Sequence, residues 1–198
     1  MKQRPARRSS AVRIIGGRWR GRKIPVRGAA VRPSGDRVRE TLFNWLAPRV
    51  PGARCLDWFA GSGVLGIEAL SRGAARCVLV ERDAATCAAL RVCLTELGAD
   101  AAGAVEVLQA DATRAALRPL GPFDIVFVDP PFDGPDIGNL CTLLERSGAL
   151  AAGGLVYLEM RRAAPPPALP AQWAVLRDKT AGQVRFMLAE RSTAPILE

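Results

Sequence analysis

The sequence contains no histidine among its 198 residues. Without an imidazole, the chain cannot build a Ser-His-Asp or Cys-His catalytic arrangement, and it cannot build a metal site that requires histidine. Any chemistry must therefore depend on carboxylates, backbone groups or a bound cofactor. We expect no metal.

Long apolar segments and paired cysteines are also absent. No apolar run approaches the roughly 18 residues that a transmembrane helix needs, and no apolar segment of the secretory type follows the basic start of the chain. The five cysteines show neither a CxxC pair nor zinc-like spacing, which favours reduced thiols in a cytosol. We therefore expect a cytoplasmic protein that has no membrane partner.

Acidic residues are scarce at the start of the chain. Residues 1–50 contain 14 lysines and arginines but only Asp36 and Glu40 as acids, whereas the other 148 residues contain 14 basic and 17 acidic residues. This asymmetry predicts a polyanionic partner, and nucleic acid is favoured over membrane because the basic segment is not a long amphipathic helix. A solubility tail or a general arginine bias is the alternative.

Within that basic segment, VRIIGGRWRGRKIPV (12–26) predicts a β-hairpin with a glycine-rich turn that displays arginines and a tryptophan. Arginines next to an aromatic ring suit phosphate contacts and base stacking, although a solvated hairpin edge is the alternative. Asp36 is then predicted to cap a helix over 37–47. The predicted nucleic-acid-binding residues are Arg13, Arg18, Trp19, Arg20, Arg22, Lys23, Arg32 and Arg37.

From residue 54 onwards, predicted strands and helices alternate. Such alternation followed by a terminal hairpin predicts an α/β fold with a mostly parallel sheet and an antiparallel end, and the length suits one domain. The predicted strands are 55–59, 76–81, 105–109, 123–128, 155–160, 173–179 and 182–190, and the predicted helices are 64–73, 84–97, 112–118 and 137–147.

The first of these strands leads into DWFAGSGVLG, which contains the GxGxxG pattern of nucleotide cofactor loops. Asp57 would repel a pyrophosphate but would suit the cationic end of a methionine moiety. Glu81 ends the next strand, where it could accept from ribose hydroxyls, and Asp111 follows the third, where it could accept from an adenine amine. Each acid alone could be a turn, surface or N-cap residue. Acids at three successive strand ends favour S-adenosylmethionine.

The stretch FDIVFVDPPF (123–132) predicts a buried strand that ends at an acid, because proline cannot continue a central ladder. Asp129 and the Pro130 carbonyl could each accept one N–H of an exocyclic base amine and orient its lone pair towards a methyl donor. Phe132 could stack on the base. A solvated proline-rich turn is the alternative.

The segments RIIGGRWRGRKIPV, RPSGDRVRETLFNWL, LDWFAGSGVLGIEALSRGA, FVDPPF and AGQVRF resemble the bacterial RsmD-type enzymes, which are 16S rRNA (guanine(966)-N(2))-methyltransferases. The resemblance covers 12–190. It implies a Rossmann-like class I methyltransferase fold, a seven-stranded sheet whose last strand is antiparallel, a basic N-terminal β-hairpin, and methylation of a guanine N2 in the small ribosomal subunit. Where the family often has threonine and cysteine, this chain has Ser34 and Trp58, and Trp58 could alter cofactor packing.

These observations define the expected organisation and site. We expect a basic disordered tail over 1–11, one methyltransferase domain over 12–190 with an RNA-binding hairpin at 12–30 and a Rossmann-like core at 36–190, and a tail over 191–198. We also expect a monomer. The predicted cofactor-binding residues are Asp57, Phe59, Ala60, Gly61, Ser62, Gly63, Glu81, Arg82, Asp111 and Ala112, and the predicted catalytic residues are Asp129, Pro130, Pro131 and Phe132.

Three other functions remain open from the sequence. The first is methylation of another amine, either adenine N6 in DNA or a glutamine amide, and the leading acid and the basic hairpin favour guanine in RNA over both. The second is a nicotinamide-dependent oxidoreductase, against which Asp57 and the DPPF motif argue. The third is an RNA-binding assembly factor with a vestigial cofactor pocket.

Overall fold

The computed structural model describes residues 10–26, 35–99 and 103–193. Four expectations lie outside these residues in whole or in part. They concern Arg32, most of the predicted tail at 1–11, the end of the predicted hairpin at 12–30, and the end of the predicted tail at 191–198.

A short antiparallel hairpin and a seven-stranded sheet account for all the strands of the described residues. The strands are β1 (Ser10–Arg13), β2 (Lys23–Val26), β3 (Arg54–Asp57), β4 (Arg76–Glu81), β5 (Val105–Gln109), β6 (Phe123–Val128), β7 (Leu150–Arg161), β8 (Trp173–Ala181) and β9 (Val184–Arg191). The sheet order is β5-β4-β3-β6-β7-β9-β8. Strands β3 to β7 pair in parallel, and β9 lies antiparallel to both β7 and β8. The predicted sheet and N-terminal hairpin are confirmed.

Within the described ranges, four helices connect these strands: α1 (Asp36–Leu46), α2 (Val64–Ser71), α3 (Ala84–Leu97) and α4 (Ile137–Ser147). Local capping explains the bounds of α3, which the sequence predicted correctly. The Asp83 side chain accepts from the Thr86 backbone N–H at 2.8 Å, and Gly98 ends the helix in the left-handed region at φ 67°. An N-cap carboxylate and a terminal glycine satisfy groups that a helix leaves unpaired.

The sheet separates two hydrophobic cores, because successive strand residues point to opposite faces. On one face, Cys55 packs with α1, α2, α3 and the hairpin. On the other face, Leu56 packs with α4 and with the segment that carries Leu117. The hairpin therefore shares the core of the main domain.

Two local predictions are wrong. Asp36 does not cap α1, because the helix begins at Asp36 itself and Gly35 takes the N-cap position without a side-chain bond. The segment 112–118 forms turns and not a helix. There the Asp111 carboxylate accepts from the Thr113 backbone N–H at 2.9 Å, and this side-chain bond favours a turn over a helix.

The five cysteines are free and buried, and a buried thiol packs as a small hydrophobic side chain. Burial, together with the nearby carboxylates of Asp124 and Asp57, raises the pKa of the Cys55 thiol to about 12. A thiol with so high a pKa is a poor nucleophile. Among the described residues, no helix is long and apolar enough to cross a membrane.

Candidate active site

The predicted acids meet at one edge of the sheet, which we call the carboxyl edge. Asp57 ends β3, Glu81 ends β4, and Asp129 directly follows β6. These strands are parallel neighbours, and Asp57 pairs with Leu79 on one side and Phe127 on the other. Ligands of open α/β sheets bind at this kind of edge.

The loop between β3 and α2 is fixed by backbone hydrogen bonds to both neighbouring strands. The Trp58 N–H donates to the Phe127 carbonyl at 3.0 Å, and the Ala60 N–H donates to the Val80 carbonyl at 2.9 Å. Gly63, the N-cap of α2, has φ 71°, and a Cβ there would lie 2.6 Å from Leu90. Only glycine suits this position, where the chain turns into α2 against the core.

Asp57 is the buried acid of the carboxyl edge, with 2% of its surface exposed. One carboxylate oxygen accepts from the Gly66 backbone N–H at 3.0 Å. Burial, opposed by the Gly66 hydrogen bond and helped by the Glu81 charge, raises the pKa of Asp57 to about 7. A carboxylate in this state gains stability from a cation bound beside it.

Glu81 holds the glycine loop in place. Its two oxygens accept from the Gly61 backbone N–H at 2.9 Å and from the Asp83 backbone N–H at 2.8 Å. A carboxylate offers about four acceptor positions, so these two bonds leave capacity for the hydroxyl groups of a ligand.

Asp111 lies beyond the end of β5 and is exposed. The hydroxyl and backbone N–H of Thr113 donate to it at 2.7 and 2.9 Å, and these bonds hold its pKa below the ordinary value, helped by the nearby charges of Arg114 and Arg82. The acid therefore stays ionised at neutral pH. The predicted residue Arg82 is exposed.

Trp58 lies beneath the loop and not in the ligand space. Its ring is fully buried, and its indole N–H donates to the Ala112 carbonyl at 2.8 Å. Phe59 packs on it, with ring centroids 5.7 Å apart. The tryptophan thus joins the β3 loop to the segment after β5.

The DPPF segment forms a tight turn beyond β6. Pro130 is buried, Asp129 and Phe132 are half-buried, and the exposed Pro131 accepts at its carbonyl from the Gly134 N–H at 2.7 Å.

Arg161, which the sequence did not single out, contacts Phe132. Its guanidinium lies 5.1 Å from the centre of the ring, and its Nε donates to the Phe132 carbonyl at 3.4 Å. A cation over an aromatic ring is attractive. This contact helps fix the end of the DPPF turn.

The N-terminal hairpin runs alongside α2 and away from the carboxyl edge. Its turn packs on the last residue of α2, where the Arg18 N–H donates to the Ser71 carbonyl at 2.8 Å. Because α2 has eight residues and starts at the glycine loop, this turn lies about 12 Å from the loop. At the other end of the hairpin, Ile24 and Pro25 line a narrow cleft with Gly61 and Ser62.

The prediction that the hairpin displays Trp19 is wrong. Only 6% of Trp19 is exposed, its backbone N–H donates to the Ser71 hydroxyl at 3.0 Å, and the Arg18 guanidinium covers its ring at 4.0 Å. A two-stranded hairpin is marginal by itself, so its largest apolar side chain is needed to anchor it to the domain. Trp19 is therefore not available to stack on a base.

In contrast to Trp19, the basic residues that were predicted to bind nucleic acid are exposed where the structure describes them. Two of them make polar contacts: Arg13 pairs with Asp36 at 3.7 Å, and Arg22 donates to the Glu96 carbonyl at 2.6 Å. The exposed set is Arg13, Arg18, Arg20, Arg22, Lys23 and Arg37.

A buried ion pair, which the sequence analysis missed, joins the hairpin, α1 and α2. Arg39 and Glu68 are both fully buried and lie 3.4 Å apart. Glu68 also accepts from the Ile15 backbone N–H and from Arg72, each at 2.9 Å. A charged residue inside each apolar helix face was the available sequence signal.

Within the residues that the structure describes, no group of three or more acids and cysteines could hold a metal ion. The polar groups at the carboxyl edge are single carboxylates, separated from one another, and backbone groups. Such a set suits an organic ligand with a cationic end and several hydroxyl and amine donors.

Comparison with known proteins identifies relatives over nearly the whole chain. A family model described as Conserved hypothetical protein 95 matches residues 12–190. The chain is 47% identical to ribosomal RNA small subunit methyltransferase D of Escherichia coli (strain K12), over 92% of this chain and 91% of that protein. It is 41% identical to the Haemophilus influenzae protein of the same name, over 89% and 92%. The solved structure of Escherichia coli yhhF superposes with a TM-score of 0.84 at 47% identity, covering 93% of this chain and all of that one.

Proposed function

The chain belongs to the Conserved hypothetical protein 95 family of RsmD-type methyltransferases, and from this membership we propose that it methylates the exocyclic N2 amine of a guanine in small-subunit rRNA. The proposed methyl donor is S-adenosylmethionine. The observation that carries the proposal is the position of Asp129 and Pro130 at the same sheet edge as the glycine loop and the buried Asp57.

The residues of the carboxyl edge fit this cofactor. Asp57 would accept from its cationic amino group, Glu81 from its ribose hydroxyls and Asp111 from its adenine amine. The raised pKa of Asp57 supports the first assignment, because a cation compensates a buried carboxylate whereas a pyrophosphate would repel it. The remaining proposed contacts come from the loop residues Phe59, Ala60, Gly61, Ser62 and Gly63 and from Arg82 and Ala112.

When bound, S-adenosylmethionine supplies an electrophilic methyl group on a sulfonium. The protein then has to orient a weak amine nucleophile. Asp129 would accept one amine N–H and the Pro130 carbonyl the other, and Asp129 can take the proton that the amine loses after methylation. Orientation of two reactants can contribute up to about 7–11 kcal/mol. No histidine is needed for this reaction.

The base and the rRNA would be held by separate groups. Phe132 would stack on the base, worth about 1–3 kcal/mol in comparable sites. Pro131 would fix the turn that presents it. The exposed arginines and lysine of the hairpin, together with Arg32 and Arg37, would contact phosphates. We further propose that the protein acts as a monomer on 16S rRNA or the small subunit, in the cytoplasm.

Mass spectrometry of small-subunit rRNA tests the function directly. Ribosomal subunits from a bacterial strain lacking this activity are incubated with the purified protein and S-adenosylmethionine, and the nucleosides are compared before and after. One new N2-methylguanosine is the expected result. A different methylated nucleoside would refute the guanine assignment, and methylation of DNA or of a protein amide instead would refute the rRNA assignment. Failure of tritiated cofactor to label any of these substrates would favour a non-catalytic assembly factor.

A further inference from the structure

Strand β7 carries a buried acid that the proposed reaction does not use. Glu159 exposes only 4% of its surface, and the Tyr157 hydroxyl donates to its carboxylate at 2.6 Å. Burying a carboxylate is costly unless hydrogen-bond donors satisfy it. A buried acid near a binding site therefore needs a specific explanation.

The register of the sheet places Glu159 beside Asp129. Strands β6 and β7 are parallel, and Val128 pairs with Leu158, so one residue further brings Asp129 opposite Glu159. Side chains two residues apart point to the same face of a sheet. Asp129 and Glu159 follow Phe127 and Tyr157 by two residues each, and those two rings lie on one face with their centroids 6.4 Å apart. Asp129 and Glu159 therefore point to that face as well.

The next residue of β7 on that face also contacts the DPPF turn. Arg161 follows Glu159 by two positions, and its guanidinium lies 5.1 Å from the centre of the Phe132 ring. Glu159 thus lies between an anchoring tyrosine and an arginine that holds the proposed stacking residue. The register thus places Glu159 next to Asp129, the proposed acceptor of the amine.

Two neighbouring carboxylates match two neighbouring donors of guanine. On the Watson–Crick edge of guanine, the N1–H lies next to the N2 amine. We propose that Glu159 accepts the N1–H of the target guanine while Asp129 accepts an N2–H, so that Glu159 selects guanine among bases. This inference rests on the proposed guanine N2 activity.

Guanine selectivity follows from the chemistry of N1. Adenine carries an unprotonated, acceptor N1, which would face the Glu159 carboxylate without a hydrogen between them. 2-Aminopurine keeps the amine at C2 but also has an acceptor N1. A site built to accept a hydrogen bond from a substrate N–H rejects analogues that lack this donor, because two acceptors then face each other. The protein should therefore reject 2-aminopurine although the methylated atom is present.

The test compares two substrates that differ at the target position. Small-subunit rRNA is ligated around a synthetic oligonucleotide that holds either guanine or 2-aminopurine, and kcat/KM is measured with full-length protein. Wild type should prefer guanine strongly. Glu159→Gln, whose amide can donate to an acceptor N1, should reduce that preference about ten- to a hundredfold. Cofactor affinity should not change.

Glu190→Gln is the matched control. It makes the same substitution in the neighbouring strand β9, where Glu190 pairs with Leu155, four β7 residues before Glu159 and about 13 Å from it. This variant should keep the guanine preference of wild type. If Glu190→Gln also lost the preference for guanine over 2-aminopurine, any acid in this part of the sheet would affect that preference, and the proposal would be overturned.

The outcomes separate the inference from the function on which it rests. If wild type does not methylate guanine N2, the proposed function fails, and the inference with it. If wild type does methylate guanine N2 but Glu159→Gln lowers kcat/KM on both substrates equally, only the inference fails. Should Glu159→Gln not fold, Tyr157→Phe decides: it removes the donor that positions Glu159, and an unchanged preference would overturn the proposal.

Discussion

The carboxyl edge and the junction between the hairpin and α2 each bury an acid, but they treat it differently. At the junction, Glu68 meets Arg39 at 3.4 Å and Arg72 at 2.9 Å. At the carboxyl edge, Asp57 accepts from a backbone N–H, and among the described residues no lysine or arginine forms an ion pair with it. The comparison suggests that the paired acid maintains the fold, whereas the acid with a raised pKa is positioned for a cationic ligand.

The largest effect should come from breaking the paired acid. Glu68→Gln removes the buried anionic partner of the fully buried Arg39, which keeps only its pair at 2.6 Å with the exposed Asp36 among the ion pairs of the described residues, and breaking a buried pair costs about 3–5 kcal/mol. Chemical denaturation should show this loss in the free energy of unfolding. Glu106→Gln is the control, because Glu106 pairs with Arg76 at 2.7 Å on the surface, and such pairs are worth less than about 1 kcal/mol. Equal losses in the two variants would contradict the structural role of Glu68.

The next effect concerns an acid at the carboxyl edge that should serve catalysis and not stability. Asp129→Ala should lower kcat by about 10²–10³-fold, because it removes one preorganised acceptor for the reacting amine. Cofactor affinity, measured by calorimetry, should stay within a few-fold of wild type. Methyl transfer at the wild-type rate would rule out Asp129 as the amine acceptor.

Asp57 provides the sharpest contrast with Glu68. Its pKa in the folded protein, about 7, lies above the ordinary 3.8. The contribution of Asp57 to stability is therefore complete below about pH 4 and is lost as the pH rises through 7. An asparagine side chain does not ionise, so Asp57→Asn does not lose this stability as the pH rises. At pH 7.5 the variant without cofactor should therefore melt no lower than wild type. The same variant should bind S-adenosylmethionine at least about tenfold more weakly, because a buried charge partner is removed.

The pH dependence of binding checks the same assignment. Wild type should bind the cofactor roughly tenfold more tightly at pH 7.5 than at pH 6, because Asp57 ionises across this range. Asp57→Asn should show a much flatter profile in the same calorimetric titrations. Parallel profiles for the two proteins would mean that another group controls the pH dependence.

The same comparison shows what the sequence could predict. The acids of the carboxyl edge were found because parallel strands end together, so that a residue's place at the end of its strand also fixes its place in space. The bounds of α3 were found because Asp83 and Gly98 are local signals. Both inferences need only neighbouring residues.

Most of the features that the sequence analysis missed or predicted wrongly depend on residues that are distant in the sequence. Arg39 and Glu68 are 29 residues apart, and Trp19 bonds with Ser71, 52 residues away. Their burial is decided by where the hairpin packs, which no local pattern contains. In 112–118, the turn at Asp111 and Thr113 competes with the helix that the composition favours. Glu159 was missed because only the pairing of β6 with β7 brings it next to Asp129, which is 30 residues earlier in the chain.

The smallest predicted effect concerns the surface of the hairpin, whose interior the Glu68 network fixes. Arg20 is exposed, and replacing it by alanine should leave the buried anchors Trp19 and Glu68 in place. If Arg20 contacts a phosphate, Arg20→Ala should weaken rRNA binding modestly and make the slope of log affinity against log salt shallower by about 0.7–0.9. Arg177→Ala is the matched control, since Arg177 is also exposed but lies on β8, the sheet-edge strand opposite β5.

A shallower slope for Arg20→Ala alone would place the phosphates along the hairpin, about one helix length from the carboxyl edge. The rRNA would then have to extend from the hairpin turn to Asp129. An unchanged slope would mean that the hairpin turn faces solvent in the complex and that the arginines nearer the carboxyl edge bind the rRNA.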